Sequence, residues 1–515
     1  MNFSVIRTQT ELLNWRKQQE SPVSFVPTMG GLHLGHEKLI KAAKSNYSND
    51  APSVLVSIFI NPLQFGAEED FNDYPRNLES DIETANQSGA NAIWAPAINE
   101  IYPGGPEENF KVKVPTGLNS KLCGSIRKDH FDGVASVMLH LLRRIKPNLL
   151  VLGEKDWQQF VILRKLIKDL DLPIKIRGVA TVRDFDGLAY SSRNQYLNHA
   201  EREQSLALPN ELAQAAQDVL KGKKLNLQAM KSNLELKGLK VEYLDVVDPA
   251  TLQATNPDKH FSLLAAAVRC GKTRLIDHTF LMTRKPIVAI DGPAGAGKST
   301  VTKAFAEKLG LLYLDTGAMY RAVTWLIQQK GIDPKNQSAV AKSIENLKLE
   351  IEPFGKNPQI IINGNNVTEA IRSPIVTSLV SEIATQGSVR EALTTQQKEI
   401  GKSGGLVAEG RDIGSAVFPN AELKVFLTAS ASERARRRVI DLQNQGYSIP
   451  SLNELAAQIK MRDQMDISRK ISPLVKAKDA KEVVTDGMQI EAVIEKIEEL
   501  FRLVVPEEVW PTPSK

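Results

Sequence analysis

The chain has 515 residues, 42% hydrophobic and 24% charged, with 65 basic against 60 acidic residues and a formal charge of +5. That length exceeds one growing core and suggests two or three domains of roughly 100 to 200 residues each. The composition excludes a disordered chain or a fibre. The mild positive excess does not call for nucleic acid or a membrane surface, and small anionic ligands account for it equally well.

Cys123 and Cys270 are the only cysteines. They lie far apart without CxxC or Cys/His spacing, which argues against a zinc site, a redox motif or a disulfide framework and fits a reducing compartment. Residues 1–16 carry no apolar signal-peptide core, so a cytoplasmic location is expected. The longest apolar runs, 54–60 and 263–268, fall well short of the roughly 20 residues a membrane helix needs.

Taken in order, residues 23–26, 54–60, 92–94, 149–152 and 174–179 read as strands and alternate with helical periodicity at 36–44 and 158–170. This alternation predicts βαβ units on a parallel sheet, an α/β fold. A second series starts at 287–290 and continues through 406–408 and 423–427. Between them an apolar, strand-like end gives way to Met282-Thr-Arg-Lys-Pro286, a polar segment closed by a proline. The boundary is placed there, giving domains 1–282 and 283–515 joined by fusion. The tail 504–515 is expected to trail off the fold.

Gly292-Pro293-Ala294-Gly295-Ala296-Gly297-Lys298-Ser299 fits GxxxxGK[ST], follows a predicted strand and opens a helix that starts by Thr300. Glycines let backbone N–H groups wrap phosphates, the helix N-terminus adds positive potential, Lys298 neutralises the β/γ-phosphates and Ser299 can ligate Mg²⁺. ATP and Mg²⁺ are therefore expected.

A phosphate loop leaves the acceptor open. The motifs around Thr316, Arg321, Ser381, Arg390, Arg411-Asp412, Arg434 to Arg438, Arg462, Asp466 and Arg469 resemble the bacterial cytidylate kinases over about 283–503. The resemblance implies a P-loop nucleoside monophosphate kinase fold with a parallel sheet and a small lobe between Asn346 and Thr368. It implies that Arg321, Arg411 and Arg469 hold the CMP phosphate, that Ser381, Arg390 and Asp412 read the cytosine edge, and that Arg462 and Asp466 hold the sugar. Thr316 stands where serine is frequent and keeps the hydroxyl. Alone, the run Arg434 to Arg438 reads as a solvated helix face and Asp466/Arg469 as an i,i+3 surface pair. Following the P-loop set, the run is expected on a mobile lid.

In the N-terminal half, His33-Leu-Gly-His36 sits where a strand opens a helix, which brings two imidazoles to one ligand. Imidazoles at a helix N-terminus can stabilise charge on an α-phosphate during adenylyl transfer. With Asn61 to Phe65, Tyr74-Pro-Arg76, Gly153-Glu-Lys155-Asp156 and Ser191-Ser192-Arg193, this half resembles pantothenate synthetase (pantoate–β-alanine ligase) over about 1–280. The resemblance implies a Rossmann-like HxGH nucleotidyltransferase fold with a small C-terminal subdomain.

Its implied ATP site comprises Met29, Gly30, Gly31, Leu32, His33, Leu34, Gly35 and His36, with Gly153, Glu154, Lys155, Asp156, Val182, Tyr190, Ser191, Ser192 and Arg193. His36 would be the acid, and His33 and Lys155 charge stabilisers. Gln64 and Gln159 would hydrogen-bond pantoate, Gln64 also orienting β-alanine. Arg127-Lys-Asp-His130 departs from the family's Arg-Pro-Gly-His, and Tyr190 stands where an aliphatic residue is usual. A surface ion pair of Lys155 with Glu154 or Asp156 is the lesser reading, because isolated surface pairs contribute little and the motif set is complete.

Two other readings exist. Cytidylyltransferases share HxGH but should carry an ISSTxxR-type segment, where this chain has Tyr190-Ser-Ser-Arg-Asn. One half could also be a silent nucleotide-binding module, against which the intact Lys298, Arg411, His33, His36 and Lys155 argue. The expected partners are pantoate, β-alanine, CMP or dCMP and ATP, without nucleic acid or membrane, and a homodimer through the ligase half is allowed.

Overall fold

In a computed structural model the chain forms two compact units, Met1–Thr283 with Pro506–Glu508, and Arg284–Val505 with Val509–Lys515. The structure describes residues 3–45, 51–66, 69, 71–256, 259–352, 359–444, 450–469 and 471–510.

The first unit is built on a six-stranded, wholly parallel sheet. Its strands run in the order Ser4–Ile6, Ala92–Trp94, Ser53–Ile58, Val23–Thr28, Leu149–Gly153 and Lys175–Val179. Val23–Thr28 is buried almost throughout because helices cover both faces, which is why these strands read as apolar runs instead of alternating ones. The chain winds to one side through Ser53–Ile58 and to the other through Leu149–Gly153, so the sheet reverses between Val23–Thr28 and Leu149–Gly153. Ligands bind outside the carboxyl ends of strands at such a reversal.

The unit ends in an antiparallel sheet of Lys240–Val247, Phe261–Cys270 and Thr273–Met282. The helices Ala207–Leu220 and Leu227–Leu236 cover it through Leu208, Leu212, Met230 and Leu234, a core of its own.

The second unit carries a five-stranded parallel sheet ordered Leu312–Asp315, Leu406–Gly410, Ile287–Asp291, Leu423–Thr428 and Lys481–Val484. One core packs Met319, Val323 and Leu393 on one face; the other packs Val301, Phe305, Ile497 and Phe501 on the opposite face. The insert forms the antiparallel strands Leu349–Glu352, Gln359–Ile362 and Asn365–Asn366.

The tail departs from expectation. Among its described residues, Trp510 packs on Phe501, its ring centroid 5.3 Å away, and receives the Arg502 guanidinium at 4.2 Å. Pro506–Glu508 belongs to the first unit. Proline and glutamate content suggested a solvated end, but local composition cannot register the burial of an aromatic or a distant hydrogen bond. No helix among the described residues is long and apolar enough to cross a membrane.

Candidate active sites

The loop after Val23–Thr28 carries the first site. Gly30 and Gly31 take positive φ values of 89° and 63°. The Asp81 carboxylate holds this turn, accepting from the Gly31 N–H at 3.1 Å and the Leu32 N–H at 2.7 Å. Burial raises the Asp81 pKa while those two N–H groups oppose the rise. No sequence signal marked Asp81, because it reaches the loop from a helix elsewhere in the chain.

His33 caps the helix Leu34–Lys44. Its Nδ1 accepts from the Gly35 N–H at 3.1 Å, while Nδ1 of His36 accepts from the His33 N–H at 3.3 Å. A Cβ on Gly35 would lie 2.8 Å from the His33 ring, so only glycine leaves room for this reciprocal cap. The two rings stand 4.1 Å apart, and the Tyr190 ring stacks on His33 at 5.6 Å.

With both Nδ1 atoms accepting, the hydrogen-bond pattern assigns the ring proton to Nε2. Burial, with the charge of Lys155, lowers His33 to about 4. Burial, then His33 and Lys155, lowers His36 well below the usual imidazole range. Both directions favour the neutral imidazole, with Nε2–H as its donor. A desolvated imidazole beside a lysine resists a second proton, which bears on the expectation of His36 as an acid.

Lys155 Nζ donates to the Tyr190 carbonyl at 2.9 Å, joining the Gly153-Glu-Lys155 and Tyr190-Ser-Ser-Arg193 motifs. Burial lowers its pKa against the opposing charges of Asp156 and Asp277. It is not the surface ion pair considered above. Ser192 Oγ donates to the Gly31 carbonyl at 3.2 Å, and the Arg193 guanidinium lies 5.6 Å over the Tyr74 ring.

These groups face one cavity of about 960 Å³, lined also by Met29, Gly153, Asp156, Val182, Ser191, Gln64 and Gln159. Gly30, Gly31, Leu32, Leu34 and Glu154 are not in its lining. The first three shape the loop, Leu34 faces outward, and Glu154 is buried elsewhere.

Gln64 lies between Met29 Sδ, 3.0 Å from its Nε2, and Asn61, whose Nδ2 donates to its Oε1 at 3.2 Å. Its carbonyl is bound by His130 Nδ1 at 2.7 Å and by Arg127, which Glu69 clamps through both carboxylate oxygens. In the departing Arg127-Lys-Asp-His130 segment, Asp129 adopts φ 61°, the left-handed conformation that a glycine there enters freely. Arg183, beside Val182, forms a two-pronged pair with Asp277 at 2.6 and 2.9 Å, a contact that spacing in the sequence could not suggest.

The second site begins at Asp291, whose carboxylate accepts from the N–H groups of Ile413 and Gly414 at 2.8 and 2.7 Å. Burial raises it to about 6 despite those bonds. A Cβ on Gly292 would meet the Leu427 carbonyl at 2.0 Å, which fixes glycine there. Lys298 Nζ donates to the carbonyls of Gly292 and Pro293, both at 2.8 Å. Burial and the nearby Arg411 lower it to about 7, with Glu409, Asp291 and Asp466 opposing. Ser299 and Thr300 are exposed at the first turn of the helix Lys298–Leu309.

The arginines are held by carboxylates. Arg390 pairs with Asp412 at 2.9 Å and lies 5.5 Å over the Tyr320 ring. Arg321 pairs with Asp315 at 2.9 Å. Asp466 binds both Arg411, at 3.0 Å, and Arg469. The Asp466/Arg469 pair does form, but it is buried and shared with a third group. Burial and the charges of Arg411, Arg469 and Arg438 lower Arg462, which marks a concentration of cations.

Thr316 Oγ1 is already engaged, donating to the Glu409 carbonyl at 2.7 Å. Ser381, on the helix Pro374–Ile383, makes no side-chain hydrogen bond among the described residues. Arg434 is not on a solvated face. It is buried, donates to the Ala294 carbonyl of the phosphate loop and forks onto Asp463 at 2.9 and 2.6 Å. Arg437 donates to the Ala296 carbonyl and Thr485, while Arg436 and Arg438 lie further out.

Folds and sites together define an enzyme with two nucleotide sites, one on an HxGH sheet and one on a P-loop sheet. The model of the pantoate-β-alanine ligase family matches residues 4–280, and that of the cytidylate kinase family matches 288–503. A bifunctional pantoate ligase/cytidylate kinase from Prochlorococcus marinus strain MIT 9313 is 59% identical over 97% of this chain and 99% of its own. Another, from Synechococcus sp. strain CC9311, is 57% identical over 95% and 99%. A solved pantothenate synthetase from Thermus thermophilus is 34% identical over 54% of this chain and 98% of its own, with a TM-score of 0.49. The chain belongs to the family of bifunctional pantoate ligase/cytidylate kinases.

Proposed function

We infer that this chain is a bifunctional enzyme that condenses (R)-pantoate with β-alanine at the expense of ATP and transfers a phosphoryl group from ATP to CMP or dCMP. The observation that carries the reading is the match of two successive family models, each over a unit that holds its own nucleotide site. Residues 1–282 are assigned to the ligase and 283–515 to the kinase.

At the first site a pantoate carboxylate oxygen attacks the α-phosphorus of ATP, and pyrophosphate leaves. The Nε2–H groups of His33 and His36 and the Lys155 ammonium meet the charge that grows on the α-phosphate; donors already fixed by the protein need little reorganisation. Gln64 and Gln159 hydrogen-bond pantoate, and Val182, Tyr190 and Arg193 border the nucleotide. The β-alanine amine then attacks the pantoyl carbonyl and AMP departs. A cavity of about 960 Å³ lined by both motifs has room for the nucleotide and pantoate together, as this order requires.

At the second site the phosphate loop from Gly292 to Thr300 holds ATP, and Lys298 balances the β/γ-phosphates. Ser299 would hold Mg²⁺ with phosphate oxygens; the neighbouring Glu409 carboxylate, which interacts with the Ser299 hydroxyl, fits a hydrated cation. Arg321, Arg411, Arg462 and Arg469 receive the CMP phosphate and sugar with Asp466. Arg390, Asp412 and Ser381 flank the cytosine, and Thr316 borders the CMP site. Arg434 to Arg438 stand at the edge of a closing lid. Two buried free thiols fit a reducing, cytoplasmic setting.

The test is the purified chain with ATP and Mg²⁺. Pantoate plus β-alanine should yield AMP and pyrophosphate, and CMP should yield ADP. Pyrophosphate release that does not require pantoate, or ADP release that does not require CMP, would overturn the corresponding half.

A further inference from the structure

Beside the ligase cavity the first unit holds a buried polar cluster of which only Glu154 lies in a motif. The Glu154 carboxylate accepts the Glu507 N–H at 2.8 Å and the Glu508 N–H at 3.0 Å. The Glu508 carboxylate in turn accepts the Thr181 N–H at 2.9 Å and lies 3.2 Å from His278 Nε2. Thr181 and His278 line the cavity, as do their neighbours Val182 and Asp277; Glu154 and Glu508 stand behind them. Pro506–Glu508 lies outside both family-model matches, which end at 280 and 503. Yet it belongs to the ligase unit.

We propose that Pro506–Glu508 is a working part of the ligase site, with Glu508 a positioning residue that fixes Thr181–Val182 and His278 against the nucleotide and Glu154 its anchor.

The chemistry is that of a buried charge network. Two carboxylates and an imidazole have left water within one cluster, which is tolerated only when they are paired and hydrogen-bonded. Burial alone would raise Glu508, but His278 and the Thr181 N–H hold it down at about 2. Burial likewise opposes a proton on His278, while Glu508, Asp277 and Glu154 favour one. Burial pushes Glu154 up to about 7 against the two amides it accepts, with the Glu508 charge adding to the rise. Asp277 is shared with Arg183 and also acts on Lys155, so the cluster connects to the groups proposed to meet the α-phosphate. A Cβ on Gly178 would lie 2.6 Å from Glu154 Oε1, so the strand next to the cluster is shaped to admit this carboxylate.

The proposal rests on the reading of Thr181–Val182 and Lys155 as the ATP site. Glu508→Ala, Glu508→Gln and Lys155→Ala in the full chain are compared with wild type for pantothenate formation, for CMP-dependent ADP release and for thermal unfolding. Glu508→Ala is expected to raise the ligase KM for ATP about tenfold with kcat within about threefold, leaving the kinase unmoved. Glu508→Gln keeps an acceptor for the Thr181 N–H and recovers part of that loss. A KM for ATP within about twofold of wild type in Glu508→Ala, while Lys155→Ala is disabled, overturns the role of the segment alone. So does a fall in kcat and melting temperature without a change in KM, since that marks a purely structural contact. A Lys155→Ala chain with unchanged use of ATP overturns the site reading and this inference with it.

Discussion

Lys155 Nζ and the Tyr190 carbonyl are 2.9 Å apart, and this one bond ties together two motifs of the ligase half. The ammonium is partly buried in the cavity wall and close enough to His33 to depress its titration. Replacing Lys155 with Ala removes a preorganised cation and frees the Tyr190 loop. Loss of one such donor costs about 10²- to 10³-fold in rate. Pyrophosphate release driven by pantoate should fall by that order while ADP formation from CMP stays at the wild-type rate, and separate assays of the two products check both.

The neutral histidines predict an acid limb displaced from the usual position. His33 is held at about 4 in the folded chain, against an ordinary value near 6.5 when unfolded. Between those values the unfolded chain binds a proton that the folded chain refuses, so stability rises with pH through that window and is level above it. Chemical denaturation of the chain on either side of that window should show this slope, and His33→Gln should lessen it by one histidine's share, since His36 and His130 are lowered as well. The ligase rate should also hold as pH falls through the ordinary imidazole value, where an imidazolium acid would have gained activity.

The pair Arg390–Asp412 is 4% and 7% exposed by side chain and 2.9 Å long. Asp412→Ala strands a guanidinium in the interior, a change that costs about 3 to 5 kcal/mol where no new partner forms. Urea unfolding of the second unit should shift accordingly, and the KM for CMP should rise more than that for ATP. Equal shifts in the two KM values would place the pair away from the cytosine.

Lys298→Ala should abolish ADP formation from CMP and leave pantothenate synthesis intact, because Lys298 bonds to its own phosphate loop, at Gly292 and Pro293. Loss of both products would mean that the two sites are not independent.

Asp81 tests a residue that carries no motif. Its carboxylate holds the N–H groups of Gly31 and Leu32, so Asp81→Ala leaves two loop donors without their partner. Each unsatisfied buried group costs about 1 to 3 kcal/mol. The ligase should lose affinity for ATP, read as a raised KM, more than it loses turnover.

The sequence by itself determined the two α/β sheets, since strands buried on both faces appear as apolar runs whatever surrounds them. It also located both nucleotide loops, because His33-Leu-Gly-His36 and the run from Gly292 to Ser299 are local geometries with local causes: a reciprocal cap and a glycine turn. Tertiary structure alone decided what these loops lean on. Asp81, the Arg127–Glu69 clamp, the Arg183–Asp277 fork and the cluster of Glu154, His278 and Glu508 are contacts between residues 49 to 354 positions apart. It also set the direction in which His33, His36 and Lys155 are shifted, because a pKa follows from burial and neighbouring charge, which only the folded chain supplies. The same holds for the tail, whose composition suggested solvent and whose Glu508 lies beside the ligase cavity: hydrogen bonds to distant amides leave no periodicity to read.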